Sequence, residues 1–164
     1  MSQKAIIIVE SPSKAKTISK YLEDEFEVIA CVGHVKDLPR DSLGVDVDND
    51  FSMELVVLDG KKDFFKTLST KAKDSPEIIL ATDPDREGEA IAWHLMELLK
   101  PTIPVKRLAF HEITKSAIQE SFDHTRKIDE SLVSAQETRR ILDRLWGYKV
   151  SAKLWQNVKG GLSA

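Results

Sequence analysis

Apolar residues along the chain follow two rhythms. Short, nearly unbroken apolar runs occur at Ala5–Val9, Phe26–Val32, Glu54–Leu58, Glu77–Ala81 and Val105–Phe110. These have the length of strands, and a run without polar interruption fits a strand buried on both faces. Between them, apolar residues recur every three or four positions: Ala15, Ile18 and Leu22; then Phe64, Phe65 and Leu68; then Ile91, Leu95 and Leu98. That spacing predicts helices over about 12–22, 62–73 and 88–99. Ser11 is a good cap for the first, and Pro12 a good first helical residue.

Strands alternating with helices predict an α/β fold, a mostly parallel, Rossmann-like sheet flanked by helices. After residue 114 the strand rhythm stops. Helices are expected near 114–123, 131–145 and 151–159, with Gly160-Gly161 ending the last. The chain therefore divides into an α/β body, 1–128, and an all-helical extension, 129–164. Gly33 to about Ser52 follows neither rhythm; a loop of that length inside a domain is usually functional or mobile.

Composition narrows the classes. At 164 residues the chain is about one domain's worth. No apolar run approaches the roughly 18 residues of a membrane span, so no membrane partner is expected. A single cysteine, Cys31, fits a reducing cytoplasm, and with four histidines it is too little for a structural zinc site. Net charge is −3, yet residues 131–164 carry six Lys and Arg against two acids, Glu137 and Asp143. An acidic body with a basic extension points to an anionic partner at the extension.

The acids concentrate at Asp83-Pro-Asp85-Arg-Glu87, directly after an apolar run. Ligands of parallel sheets gather at the carboxyl ends of strands, and Glu10 ends the first strand as Asp83 ends the fourth. Spaced by two in an extended loop, Asp83, Asp85 and Glu87 would project from one face and could meet Glu10. Each like-charged pair at about 4 Å costs on the order of 1 kcal/mol in water and about 4 kcal/mol at an effective dielectric of 20, so such a site takes up protons or a cation. Oxygen-only ligands favour Mg²⁺. An acidic turn before a helix, with Glu87 and Glu89 drawn to the helix dipole, is the plainer alternative. Lys14, in the first turn after Glu10, is a candidate phosphate ligand. No nucleotide fingerprint, neither G-x-x-x-x-G-K-[ST] nor G-x-G-x-x-G, occurs, so no nucleotide cofactor is expected.

In the extension, Gln136, Arg140 and Arg144 share a helix face, and Arg139 can pair with Asp143. Lys149 and Gln156 follow, among Trp146, Tyr148 and Trp155. Cations interleaved with aromatics suit single-stranded nucleic acid, although the tryptophans are expected in the core.

Four motifs in order, Val9-Glu10-Ser-Pro-Ser-Lys14, Gly33-His34-x-x-Asp37-Leu-Pro39, Ala81-Thr-Asp83-Pro-Asp85-Arg-Glu87-Gly-Glu-Ala, and Ala135-Gln-x-x-Arg139-Arg140-x-Leu-Asp143-Arg144-x-x-Gly147-Tyr, together resemble the N-terminal part of bacterial type IA DNA topoisomerases. That resemblance implies a TOPRIM domain followed by the start of a helical DNA-binding domain. It implies Mg²⁺ on Glu10, Asp83, Asp85 and Glu87, with Glu10, Lys14 and Glu87 catalytic. His34, Arg139, Arg140, Ile141, Arg144, Lys149, Gln156 and Ser163 would contact single-stranded or negatively supercoiled DNA. The family's nucleophilic tyrosine has no counterpart here, since neither Tyr21 nor Tyr148 matches its context. The chain is therefore expected to be a monomeric, nucleoid-associated fragment, missing the C-terminal part of its polypeptide and inactive in relaxation by itself. A self-contained TOPRIM nuclease or primase-like protein, and a non-enzymatic DNA-binding module, are the alternatives.

Overall fold

In the computed structural model, which describes residues 3–22 and 24–159, the first apolar run forms β1 (Ala5–Val9), buried at all five positions. β1 is a central strand of a four-stranded parallel sheet ordered β2-β1-β7-β8, where β2 is Phe26–Ala30, β7 Ile78–Leu80 and β8 Val105–Arg107. Ile7 pairs with Val28 on one side and Ile79 on the other.

Side-chain alternation along these strands builds two cores. Ile6, Ile8, Ile78 and Leu80 face Leu68 of α2 (Lys61–Lys73) and Ile91 and Leu95 of α3 (Arg86–Leu99). Ile7, Val9 and Ile79 face Ile18 of α1 (Pro12–Ser19) and Ile118 of α4 (Lys115–Asp123). Helices thus cover both faces of the parallel sheet, as the sequence rhythm predicts.

One expected strand goes elsewhere. The run Glu54–Leu58 contributes only β6 (Val56–Val57), which pairs antiparallel with β3 (Lys36–Asp37), while β4 (Val45–Asp46) pairs with β5 (Ser52–Met53). Most of the stretch read as a loop thus belongs to a small β appendage outside the main sheet. Val56 is exposed, so this run is not the doubly buried strand its composition suggests. β propensity indicates a strand but not its partner.

The extension is helical. α5 (Glu130–Leu145) packs against α3 and continues through a π-helical turn, Trp146–Val150, into α6 (Ser151–Asn157). The tryptophans are not core: Trp146 is 61% and Trp155 55% exposed. Gly160, Gly161 and Ser163 lie outside the described residues. Among the described residues no helix is long and apolar enough to cross a membrane.

Candidate active site

Because β1 and β7 are neighbours, their carboxyl ends bring Glu10 and Asp83 to one edge of the sheet. α1 starts immediately after Glu10. Ser11 Oγ accepts the Lys14 N–H at 3.4 Å, and Pro12 occupies the first turn. That turn sets the Lys14 ammonium between the two acids, donating to Glu10 Oε1 and to Asp83 Oδ1. Burial pulls the Lys14 pKa down, but the bonds to Asp83 and Glu10 outweigh it and hold the ammonium above its usual value. Glu10 Oε2 is buried and has no hydrogen-bond partner.

Asp85 and Glu87 do not join this pair on one face of an extended loop. The loop ends two residues earlier than the sequence suggests: Asp85 is the N-cap of α3, its Oδ1 accepting the Gly88 N–H at 2.8 Å, and Glu87 lies in the first helical turn. Helical geometry breaks the alternation. Both side chains are exposed, and among the described residues no three His, Cys, Asp or Glu stand close enough to hold a metal ion.

The donor set still fits a hard cation. Mg²⁺ keeps several waters and binds proteins through one or two carboxylates. Glu10 and Asp83 supply two, already gathered around a positive charge, and Glu10 Oε2 is an unpartnered oxygen.

Two buried devices fix the acidic loop. The Arg107 guanidinium, 2% exposed, donates to the carbonyls of Thr82 at 2.7 Å and Asp83 at 2.8 Å, and also to those of Leu80 and Leu108. Its charge is met by fully buried Glu89, whose other oxygen accepts the Asp129 N–H at 2.9 Å, at the cap of α5. Arg126 donates to Glu89 as well. Gly88 supplies the second device: a Cβ there would lie 2.1 Å from the Asp83 carbonyl oxygen. Sequence reasoning missed Arg107 and treated Glu89 as a dipole partner. The available signals were that Glu89 interrupts the apolar face of α3 and that Arg107 closes a strand at an inward position.

His34, Glu87, His94, Gln136 and Arg140 line a cavity of about 360 Å³ between α3, α5 and the β appendage. His94 is buried with neither ring nitrogen bonded; burial, aided by the Lys36 charge, lowers its pKa to about 4, so it is neutral at neutral pH.

The extension's cations do more than expected of a solvated face. Arg140 forks onto Asp37 at 2.6 and 2.7 Å. Arg144, buried, donates to the carbonyls of Pro39 at 2.7 Å, Ser42 at 3.0 Å and Leu38 at 3.3 Å, and its guanidinium lies 5.1 Å from the Tyr148 ring centre. The Tyr148 hydroxyl donates to the Arg40 carbonyl at 3.0 Å. Arg139 pairs with Asp143 as its spacing predicts. Arg139, Lys149 and Gln156 are exposed and Ile141 is half-buried.

Asp37 carries a pH expectation. Burial raises its pKa, but the Arg140 bond, the Leu38 N–H and the nearby cations outweigh it, leaving a value below the ordinary one. A carboxylate depressed in the folded state stabilises above its unfolded value, about 3.9, and that contribution is lost as pH falls through the folded value. The protection of amides across 37–42, measured against their intrinsic exchange rates at each pH, is therefore expected to fall below about pH 4. Asp37→Asn should exchange fast at neutral pH and lack that acid step. Identical profiles for the two proteins would remove Asp37 from the docking of α5.

Comparisons with known proteins agree with this fold. The Toprim domain family matches residues 5–113. DNA topoisomerase 1 of Synechococcus elongatus is 50% identical over 97% of this chain and 20% of the relative. DNA topoisomerase 1 of Streptomyces coelicolor is 54% identical over 97% of this chain and 18% of its own length. The structure of full-length topoisomerase I from Thermotoga maritima superposes with a TM-score of 0.87 at 46% identity, covering 97% of this chain and 27% of that one. The chain thus spans about a fifth of the length of the curated relatives it matches. With its parallel sheet, its acids at the strand ends and a match across most of its length, the chain belongs to the Toprim domain family.

Proposed function

We propose that this chain is the metal- and phosphate-handling part of a type IA DNA topoisomerase, an ATP-independent isomerase that relaxes negatively supercoiled DNA through a transient 5′-phosphotyrosine break. The observation that carries the reading is the meeting of Glu10 and Asp83 around Lys14, with one Glu10 oxygen buried and unpartnered.

Glu10 and Asp83 would hold Mg²⁺, with Asp85 and Glu87 at the rim reaching it through water or a small movement of the first turn of α3. The ion supplies charge neutralisation beside the phosphate. Glu10 can accept or return the proton of the 3′ leaving oxygen, and Lys14 can stabilise charge on the phosphate once it leaves the acids. His34, Arg139, Arg140, Ile141, Arg144, Lys149 and Gln156 would line the strand, with Ser163 beyond the described residues. Arg140 and Arg144 would do so while holding the 37–42 segment, so they serve the strand as a fixed wall. Tyr148 is engaged by Arg40 and Arg144 and stands in the DNA-lining helix, which supports a nucleophile from elsewhere in the polypeptide. The division between the Toprim unit, 1–128, and the DNA-binding helices, 129–164, follows the same reading.

Calorimetric titration tests the site directly. The chain is expected to bind Mg²⁺, and Asp83→Asn with Asp85→Asn to bind it several-fold more weakly. Lys14→Met should bind it several-fold more tightly, because a competing cation beside two carboxylates is gone. Unchanged titrations in both variants would overturn the metal site. With plasmid DNA, the chain alone is expected not to relax supercoils, whereas a polypeptide continuing into the remaining domains should. Metal-dependent cutting by the chain alone would favour a nuclease instead.

A further inference from the structure

Val32 has a backbone φ of +59°. For a β-branched side chain this is a true outlier, tolerated only where the surroundings over-determine it. They do so here. The Lys61 ammonium, at the start of α2, donates to the carbonyls of Cys31 and Val32, both at 2.7 Å, and the Gly33 N–H donates to the Glu10 carbonyl at 2.8 Å. The turn is pinned from β1 and from α2 at once.

Packing does not explain why a valine is held there. Its side chain is 61% exposed, while its neighbours Cys31 and Val35 are buried. It carries no charge that could support the acids. What the turn does achieve is placement: the Cys31 N–H donates to the Val9 carbonyl and the Gly33 N–H to the Glu10 carbonyl, so the exposed Val32 stands at the carboxyl edge of the sheet, between two backbone anchors to the strand end that carries Glu10. Strain kept at the lip of a site, with no stabilising return, is a signature of a position shaped for a ligand.

We propose that Val32 is a substrate-contacting residue of this site, its isopropyl group packing against the sugar or base face of the nucleotide whose phosphate approaches Glu10 and Lys14. The proposal rests on the reading of the chain as a DNA-handling Toprim protein. Its logic is a division of labour: charged groups take the phosphate, and an apolar knob meets the apolar part of the same nucleotide.

Fluorescence anisotropy with a labelled single-stranded oligonucleotide, over a salt series and alongside thermal melting, tests it. Val32→Gly is expected to raise Tm, because glycine accepts positive φ without strain, while weakening oligonucleotide binding by about fivefold. Val32→Ala loses the β-branch but keeps a Cβ at positive φ, so it should weaken binding with a smaller rise in Tm than Val32→Gly. In both, the slope of log K against log salt should stay unchanged, since no phosphate contact is removed. Oligonucleotide affinity within twofold of wild type in both variants would overturn the proposal. So would a lower Tm for Val32→Gly, which would make the side chain a part of the fold. If the wild-type chain binds no oligonucleotide, the DNA-handling reading itself falls, and this inference with it.

Discussion

Replacing Arg107 by methionine is expected to cost about 3–5 kcal/mol of folding stability, the range for breaking a buried ion pair from one side. The guanidinium is 2% exposed, and it satisfies four backbone carbonyls as well as Glu89. Methionine fills much of the volume but donates nothing, so the Thr82 and Asp83 carbonyls lose a buried donor. For a chain of this size each kcal/mol shifts Tm by about 2–4 °C, so the loss should be plain in urea unfolding and in melting curves. Adding Glu89→Gln should recover part of it, because the buried side chain left with Arg126 and the Asp129 N–H then carries no charge. A single-variant loss below about 1 kcal/mol, or a double variant no better than the single, would show that the network stabilises little.

Gly88→Ala is the second large effect. In an open helix position alanine gains about 1 kcal/mol over glycine, so an unconstrained site would be stabilised. Here the new Cβ would meet the Asp83 carbonyl oxygen at 2.1 Å and the Asp83 nitrogen at 2.8 Å, both backbone atoms that a rotamer change cannot move. Overpacking of this kind costs about 1–3 kcal/mol, so the sign should reverse. Relief requires the Asp83 backbone to shift away from α3, which would carry its carboxylate off Lys14 and Glu10. The variant is therefore expected to lose Mg²⁺ affinity as well as stability in the same preparation. An alanine variant more stable than wild type would show that the close approach of helix and loop is not maintained in solution.

Much of this architecture was legible in the residues. The doubly buried runs at Ala5–Val9 and Ile78–Leu80 identify central parallel strands, because a strand covered by helices on both sides leaves no polar position. Ser11-Pro12 locates the start of α1 to the residue, since capping chemistry is local. What failed was whatever depends on partners distant in the chain. Val56 and Val57 carry a strand composition but pair with the Lys36–Asp37 segment and not with the main sheet. The even spacing of Asp83, Asp85 and Glu87 implies one face only if the backbone stays extended, and the Asp85 cap turns it into a helix one residue on. Trp146 and Trp155 have the composition of a core, yet core membership depends on what covers them. Arg107 and Glu89 were invisible as a pair because 18 residues separate them and each alone has an ordinary surface explanation.

The contact between Arg140 and Asp37 joins residues 103 apart, and Arg144 reaches Leu38, Pro39 and Ser42 across a similar span. A ribosome adds about 5–20 residues each second, so the 37–42 segment waits about 5–20 s in its nascent state before its clamps emerge. During that interval β1, β2 and α1 are already complete and can pair, while the wall of the site beside them has nothing to lean on. The order of synthesis thus makes the sheet edge first and the docking of α5 on the 37–42 segment last. Chains stalled before residue 140 would carry the acids without the two arginines that clamp the 37–42 segment.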